Sequence, residues 1–207
     1  MSWKYHIEHV CSKVSIGNNI LNRTKNILPL NIRKLLYNSL VKSQINYGIL
    51  LYGGSSNAMM KRLEIIQKKC IRNIANSGFL SHTIPDFLKL NLLKIKDIYS
   101  LESLIFMYKY ANDLHPNSLS EMFYPLSNNN RTLSFKTSIV KGKFLESFPS
   151  ALLPQIWNSL HINTKSLPKL SSFKKKVKQD LITKYEGFIC KRNDCISCKK
   201  KDNKIKS

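Results

Sequence analysis

Acidic residues are scarce in this sequence. Twelve aspartates and glutamates stand against 34 lysines and arginines, which gives a formal net charge of +22 over 207 residues. A compact chain with this excess repels itself, and such chains usually bind a polyanion, nucleic acid first and an anionic membrane surface second. Because 43% of the residues are hydrophobic, the chain can still bury a core, which excludes a wholly disordered basic tail.

Long apolar runs and cysteines are also few. No stretch approaches the ~18 uninterrupted apolar residues that a membrane helix needs, and the segment from Met1 to His6 carries charge where a secretory signal would be apolar. Five cysteines, three of them crowded near the end, are too unevenly placed for a disulfide framework. We therefore expect an intracellular protein, nuclear or cytoplasmic, with no membrane partner.

Catalytic motifs are missing as well. Two-metal nucleotidyl transfer needs carboxylates that converge on one point, but no two acidic residues are adjacent here, and the aspartates are scattered among lysines, caps and turns. The sequence contains no Gly-x-x-x-x-Gly-Lys phosphate loop, no Gly-x-Ser-x-Gly turn and no His-Glu-x-x-His pair. The residues therefore predict neither a catalytic site nor a cofactor for this chain.

Apolar residues recur at steps of three and four, the period of an amphipathic helix, through most of the chain. This spacing predicts a mainly α fold. The inward positions predicted for the first, third and last long helices are Trp3, Ile7, Val10, Val14, Gly17 and Leu21; Met59, Leu63, Ile66, Cys70 and Ile74; and Phe173, Val177, Leu181 and Tyr185. A further helix is predicted from about Asp97 to Ala111, with Ile98, Leu101, Leu104, Ile105 and Tyr108 inward.

Prolines and an asparagine run interrupt this period over residues 112–150. We therefore predict a helical domain over 1–111, a linker or irregular region over 112–150, a C-terminal helical segment over 151–187 and a mobile basic tail with cysteines over 188–207. Leu133 and Phe135 alternate with polar neighbours, which leaves a short strand or hairpin open in the irregular C-terminal subdomain.

The third predicted helix, from about Ser56 to Asn76, has the clearest pattern in the sequence. Its cations fall on an arc of roughly 120° opposite the apolar stripe. These cations are Lys61, Arg62, Lys68, Lys69 and Arg72. Like charges at such spacing repel one another, so contact with the phosphates of a nucleic acid is the favoured explanation and a solvated surface is the alternative.

Three cysteines near the end have the spacing of part of a zinc knuckle. They are Cys190, Cys195 and Cys198. A closed structural zinc site needs four Cys or His ligands, and neither residue follows Cys198. Free thiols in a basic tail are therefore the favoured interpretation, and no metal site is predicted.

Eight short pieces occur in an order that resembles the region following the palm in reverse transcriptases of non-LTR retrotransposons, the jockey-like and related elements. The pieces are Trp3-x-x-His6-Ile7, Leu28-Pro29, Leu35-Leu36-Tyr37-x-Ser39-Leu40, Tyr47-Gly48-Ile49, Leu63-x-x-x-Gln67-Lys68-Lys69-x-Ile71-Arg72, His82-Thr83-x-Pro85, Phe106-Met107-Tyr108, and Ile156-Trp157-Asn158-Ser159-Leu160 followed by Leu170-Ser171-Ser172-Phe173-Lys174. The chain departs from the family at Tyr52-Gly53, where Trp-Gly is usual, and at Cys70, where Ala is usual.

The resemblance implies a thumb that grips the template and primer behind the polymerase site. In the family the fingers and palm, with the Asp-Asp motif, precede the Trp-x-x-His segment. The chain is therefore expected to begin after the active site, as a truncated copy, a fragment or a split gene product, with no polymerase activity alone. Mg²⁺ is expected only for the missing palm, which would be a partner of this chain.

The resulting hypothesis is a non-catalytic piece of an RNA-directed DNA polymerase that binds a template-primer duplex of RNA or DNA through a helical-bundle, thumb-like domain. The predicted phosphate contacts are the five cations of the third helix, with Lys174, Lys175, Lys176 and Lys178 as secondary candidates. The alternatives are a free-standing basic helical protein that binds RNA or DNA, and a structural remnant without activity.

Overall fold

The computed structural model describes residues 3–126, 134–137 and 148–187. This part is 69% helical and contains no strand, which confirms the expected mainly α fold. Within it, extended pairing is limited to one antiparallel bridge between Pro125 and Phe135, beside which the Leu126 amide donates to the Ser134 carbonyl. The strand or hairpin left open at Phe135 is thus a single bridge; Leu133 and the predicted tail over 188–207 lie outside the described residues.

Short connections join the helices from α1 to α7 and from α8 to α10, whereas α7 and α8 are separated by residues 112–148. In chain order they are α1 (Lys4–Thr24), α2 (Leu30–Leu36), α3 (Ser43–Asn46), α4 (Ile49–Tyr52), α5 (Asn57–Ala75), α6 (Ile84–Leu90), α7 (Ile95–Ala111), α8 (Pro149–Asn158), α9 (Ile162–Lys165) and α10 (Leu170–Thr183). A π-helical segment, Tyr37–Lys42, joins α2 to α3 without a break in helical backbone geometry, and a 3₁₀ turn, Asn117–Leu119, follows α7.

The described residues form two units, each discontinuous along the chain. Unit 1 takes in residues 3–47, 57–95 and 181–187, and unit 2 takes in residues 48–56 and the described part of 96–180. The contiguous ranges expected from the sequence, 1–111, 112–150, 151–187 and 188–207, do not follow this division, and those domain boundaries stay a prediction.

The core of unit 1 lies between α1 and α5. The predicted stripe of α1 is buried as expected from Ile7 to Leu21. Trp3, which was predicted to begin it, immediately precedes the helix and is half-buried, so the prediction is wrong at that position. Gly17 belongs to this stripe because α1 approaches the π-helical segment closely: a Cβ atom there would lie 2.8 Å from Val41 Cγ2 and 3.3 Å from the Leu40 carbonyl oxygen. Any larger residue at position 17 would push the two helical segments apart.

A buried amide joins α5 to two other segments of unit 1. The Gln67 side chain is 1% exposed, and its Nε2 atom donates to Tyr37 Oη at 2.9 Å and to the Leu93 carbonyl at 3.0 Å. Its Oε1 atom accepts from the Ile95 amide at 3.1 Å. Burial raises the pKa of Tyr37, so its hydroxyl stays neutral. Each of these hydrogen bonds joins residues at least 26 positions apart in sequence.

The core of unit 2 is aromatic. The ring of Phe173 lies 4.4 Å from that of Tyr108 and 6.1 Å from that of Trp157, measured between centroids. The Tyr108 hydroxyl donates to the Leu167 carbonyl at 2.6 Å. In unit 2, Phe173 and Val177 of the stripe predicted for the last helix are buried, as are all five positions predicted for α7. Leu181 and Tyr185 of the same stripe are buried too, but they belong to unit 1, and Tyr185 follows the end of α10.

Candidate nucleic-acid interface

The buried face of α5 is rotated about the helix axis relative to the predicted face. The residues that it buries are Met60, Leu63, Gln67, Cys70, Ile71 and Ile74. Met59 and Ile66, which were expected to be inside, are only half-buried, so the prediction is wrong at these positions. At about 100° per residue the centre of the buried face is shifted by roughly 50°. The physical reason is Gln67, a polar residue whose hydrogen bonds hold it inside.

The five predicted cations lie on the opposite side of α5. Lys61, Arg62, Lys68 and Lys69 are exposed and Arg72 is half-buried. The centre of their arc lies roughly 170° from the centre of the buried face on a wheel of 100° per residue. We call these five residues the α5 basic face. The structure thus brings all five predicted residues together on one helix surface within unit 1.

One acidic residue accompanies the α5 basic face. Glu64 is half-buried and lies four positions before Lys68, the spacing at which a glutamate supports a lysine on a helix. It offsets part of the charge at one edge of the face. Because α5 contains no other acidic residue, the remaining cations still repel one another by a few tenths of a kcal/mol for each close pair. An anionic ligand would relieve this repulsion.

The secondary candidates on α10 are arranged less favourably. Lys174, Lys175 and Lys176 are exposed and Lys178 is half-buried. The four positions cover roughly 200° of the helix circumference, so they form no common face. Lys176 Nζ also lies 3.0 Å from an Asp180 carboxylate oxygen. These lysines belong to unit 2, whereas the α5 basic face belongs to unit 1.

A polar groove adjoins the C-terminal half of the α5 basic face. It has a volume of about 240 Å³ and lies between the C-terminal half of α1 and the C-terminal half of α5. Its lining includes Asn18 and Lys25 from the α1 side, Lys69, Arg72 and Asn73 from α5, and Phe79 from the loop that follows. We call it the Asn18–Lys69 groove. Two of its residues, Lys69 and Arg72, are shared with the α5 basic face.

A hydrogen bond to the loop after α5 holds Arg72 in this groove. Its Nε atom donates to the Ser81 carbonyl at 3.0 Å. Behind it, Ser77 Oγ donates to an Asp86 carboxylate oxygen at 3.0 Å. Burial raises the pKa of Asp86, while the Ser77 hydrogen bond and the charges of Lys89 and Arg72 act in the opposite direction. Arg72 is therefore a positioned cation, part of whose charge is already balanced.

The described residues show no arrangement suited to metal chemistry. No group of three or more His, Cys, Asp or Glu side chains within the described ranges could hold an ion. Cys11 and Cys70 are buried free thiols, and burial raises the pKa of Cys70 to about 12. Such a thiol is a poor nucleophile and metal ligand at neutral pH. The motif residues Cys190, Cys195 and Cys198 lie outside the described ranges.

Sequence reasoning missed the groove residues that come from other segments. Lys25 was counted in the net charge but was not linked to α5, which lies more than thirty residues further along the chain. Phe79 gave one available signal: it follows Gly78 in a turn, where a large apolar side chain has little chance of burial. It is 78% exposed. The amides Asn18 and Asn73 carried no signal, because their pairing depends on tertiary structure.

The chain was compared with known proteins in three ways. No protein-family model matches it, no curated protein matches it, and no solved structure matches it. The resemblance to reverse transcriptases of non-LTR retrotransposons therefore stays an expectation. Among the described residues, no helix has both the length and the apolar character to cross a bilayer.

Proposed function

We propose that this chain is the non-catalytic, thumb-like region of a reverse transcriptase of the non-LTR retrotransposon type. In this role it grips the template-primer nucleic acid while a separate palm supplies the catalytic carboxylates and Mg²⁺. The observation that supports the grip is the α5 basic face, where four of five cations are exposed opposite the buried side of one helix. The partner is an RNA or DNA duplex.

The packing of unit 1 supports a thumb-like helical bundle. Helix α1 packs along α5, and α2 and the π-helical segment pack against both. This packing fixes the orientation of α5 within unit 1, and so determines which side of that unit its cations occupy. In unit 2 the bridge at Phe135 supports the proposed irregular C-terminal subdomain, since it is held to α8 by two hydrogen bonds of the Asn158 side chain.

Cations on a helix surface position nucleic acid without reading its sequence, because every nucleotide carries the same phosphate. Four phosphate contacts predict that the logarithm of affinity falls by about 3.6 for each decade of salt, at ~0.9 for each neutralised phosphate. We therefore expect strong salt dependence and little sequence preference. We expect no polymerase activity from the chain alone.

The test removes two charges that lie outside the Asn18–Lys69 groove. We expect Lys61→Gln combined with Lys68→Gln to flatten the salt slope for a blunt duplex by about 1.8, because two phosphate contacts are lost. Affinity at about 0.1 M salt should fall roughly 10- to 60-fold. The measurement is fluorescence anisotropy of a labelled duplex over a range of salt concentrations, with circular dichroism to verify folding.

The matched control removes the same charge elsewhere. Lys13→Gln combined with Lys109→Gln changes two exposed lysines on α1 and α7, so the net charge of both double variants is equal. The control should keep nearly the full salt slope. Equal losses in the two variants would mean that only the overall charge matters, and the assignment to α5 would then be rejected.

Two further observations separate this proposal from its alternatives. An in-frame or recently broken stretch upstream with a Tyr-x-Asp-Asp-like motif would support the reverse transcriptase region over a free-standing basic protein. Failure of the purified chain to bind any duplex or single strand at low salt would favour a remnant without activity.

A further inference from the structure

The Asn18–Lys69 groove combines three kinds of chemistry in one place. Lys25, Lys69 and Arg72 supply positive charge, the amides of Asn18 and Asn73 supply hydrogen-bond donors, and Phe79 supplies an aromatic ring. Helix surfaces that only neutralise phosphates need the first of these alone. The additional amides and ring point to a ligand that also has a planar, apolar part.

The polar side of the groove is organised before any ligand binds. Asn73 Nδ2 donates to Asn18 Oδ1 at 3.0 Å, a bond that links α5 to α1. This bond uses the acceptor of Asn18 and leaves its two amide hydrogens outside the pair. Since Arg72 is also held, through its bond to Ser81, Arg72 and the two amides lose little conformational freedom on binding.

The aromatic side of the groove is exposed to solvent. The Phe79 side chain is 78% exposed, and its neighbour Leu80 is 77% exposed. The burial of a phenyl ring is strongly favourable, so a ring left in solvent beside cations gains most from a flat partner. A nucleobase is such a partner, and stacking on an aromatic side chain tolerates any base.

A base inside a blunt duplex cannot supply this contact. Its two faces are already covered by neighbouring base pairs, whereas a base in a single strand, an overhang or a loop can be stacked on a side chain. The groove volume of about 240 Å³ is below the roughly 300–1,000 Å³ of pockets that enclose drug-sized ligands. It therefore suits the phosphate and sugar of one nucleotide, with the base lying outside on the ring.

We propose that the Asn18–Lys69 groove binds one unpaired nucleotide of the nucleic acid held by the α5 basic face. Its phosphate contacts Lys25, Lys69 and Arg72, and its base stacks on Phe79. The inference rests on the proposed function, because Lys69 and Arg72 belong to both surfaces. It adds a preference for single-stranded segments, such as the template beyond the end of a primer.

The first test compares two probes of equal length. A single strand of about 12 nucleotides, within the ~4–16 nucleotides that one single-strand-binding domain covers, is set against the blunt duplex of the same sequence. Phe79→Ala should lower the ratio of strand affinity to duplex affinity about tenfold, the loss typical of one base stacked on an aromatic side chain. Leu80→Ala, at an equally exposed neighbour, should leave this ratio at the wild-type value.

The second test detects stacking directly. A strand with 2-aminopurine loses fluorescence when that base stacks, so wild-type protein should quench the strand and Phe79→Ala should not. Phe79→Tyr keeps an aromatic ring and should restore quenching. A strand with abasic sites should bind wild-type protein and Phe79→Ala equally, because it offers no base to the ring.

The possible failures are distinguishable. If Phe79→Ala and Leu80→Ala change the affinity ratio equally, or if abasic and normal strands bind alike, the nucleotide proposal is wrong. A groove that takes an acidic peptide instead would give this result. The α5 proposal would survive that outcome provided that Lys61→Gln with Lys68→Gln still flattens the duplex salt slope. If that double variant has no effect, the α5 proposal fails too.

Discussion

Helices α5 and α10 both place several cations beside a buried stripe, yet they arrange them differently. On α5 the cations share one arc and adjoin a polar groove, with Glu64 as the single acidic residue of the helix. On α10 the lysines spread around the helix, and one of them, Lys176, pairs with Asp180. The buried sides differ as well: α5 buries the hydrogen-bonded amide of Gln67, and α10 packs an aromatic ring against others. A count of lysines is therefore a weak guide to a binding surface, and their arrangement is a better one.

A truncation in the aromatic core beneath α10 should have the largest effect on stability. Phe173 is fully buried between Tyr108 and Trp157, so Phe173→Ala removes a large apolar volume and leaves a cavity. We expect the free energy of unfolding to fall by about 3–5 kcal/mol. The measurement is urea denaturation followed by circular dichroism. A loss below 1 kcal/mol would mean that this end of the helix contributes little to stability.

Loss of the buried Gln67 amide beneath α5 should have the next largest effect on stability. Gln67→Leu keeps a similar volume but leaves the Leu93 carbonyl and the Ile95 amide buried without their partner. We expect a loss of about 2–3 kcal/mol in the free energy of unfolding. Urea denaturation of wild type and variant under identical conditions measures it. A neutral or stabilising result would show that water reaches these groups.

Substitutions on α5 and α10 should differ more in their effect on duplex binding than in their effect on stability. Lys174→Gln combined with Lys175→Gln removes as much charge from α10 as Lys61→Gln with Lys68→Gln removes from α5. We expect the α10 pair to flatten the duplex salt slope by at most ~0.9, against about 1.8 for the α5 pair. Salt titrations of anisotropy measure both slopes. If both double variants flatten the slope equally, the proposed difference between α5 and α10 in phosphate contact is wrong.

The ion pair on α10 should give the smallest effect. Lys176 and Asp180 are both well exposed and four residues apart, so solvent screens their attraction. Asp180→Asn should change the free energy of unfolding by about 0.3–0.5 kcal/mol. Repetition at 1 M salt, where the Debye length is about 3 Å, should abolish the difference. A larger or salt-independent loss would show that Asp180 has another structural role.

Sequence periodicity predicted much of the local structure. Apart from Trp3, which is half-buried, the positions predicted to be inside on the first and last helices are buried. Apolar side chains repeat at helical spacing in both segments and pack as such residues do. The stripe of α5 was not predicted correctly, because Gln67 is buried through partners 26 to 30 residues away in sequence. No local pattern carries that information. Periodicity of 3.6 residues locates a helix well and its rotation about its own axis less well.

The candidate site also has one part that depends on local sequence and another that depends on tertiary packing. The five cations of the α5 basic face could be predicted from one helix, since their positions relative to each other depend only on helix geometry. The groove could not be predicted, because it needs Asn18 and Lys25 of one segment beside Asn73 of another. Its composition became visible only once the packing of α1 on α5 was known.

The neutral amide of Gln67 determines the direction in which the cations of α5 face around the helix axis. Met59 and Ile66 on one flank of this helix are about as apolar as Met60 and Ile71 on the other, so the removal of apolar surface from water hardly distinguishes the two rotational settings. The hydrogen bonds of Gln67 to Tyr37, Leu93 and Ile95 form in one setting alone. The direction in which the positive charge faces is thus controlled from the interior, by a side chain that no polyanion would ever touch.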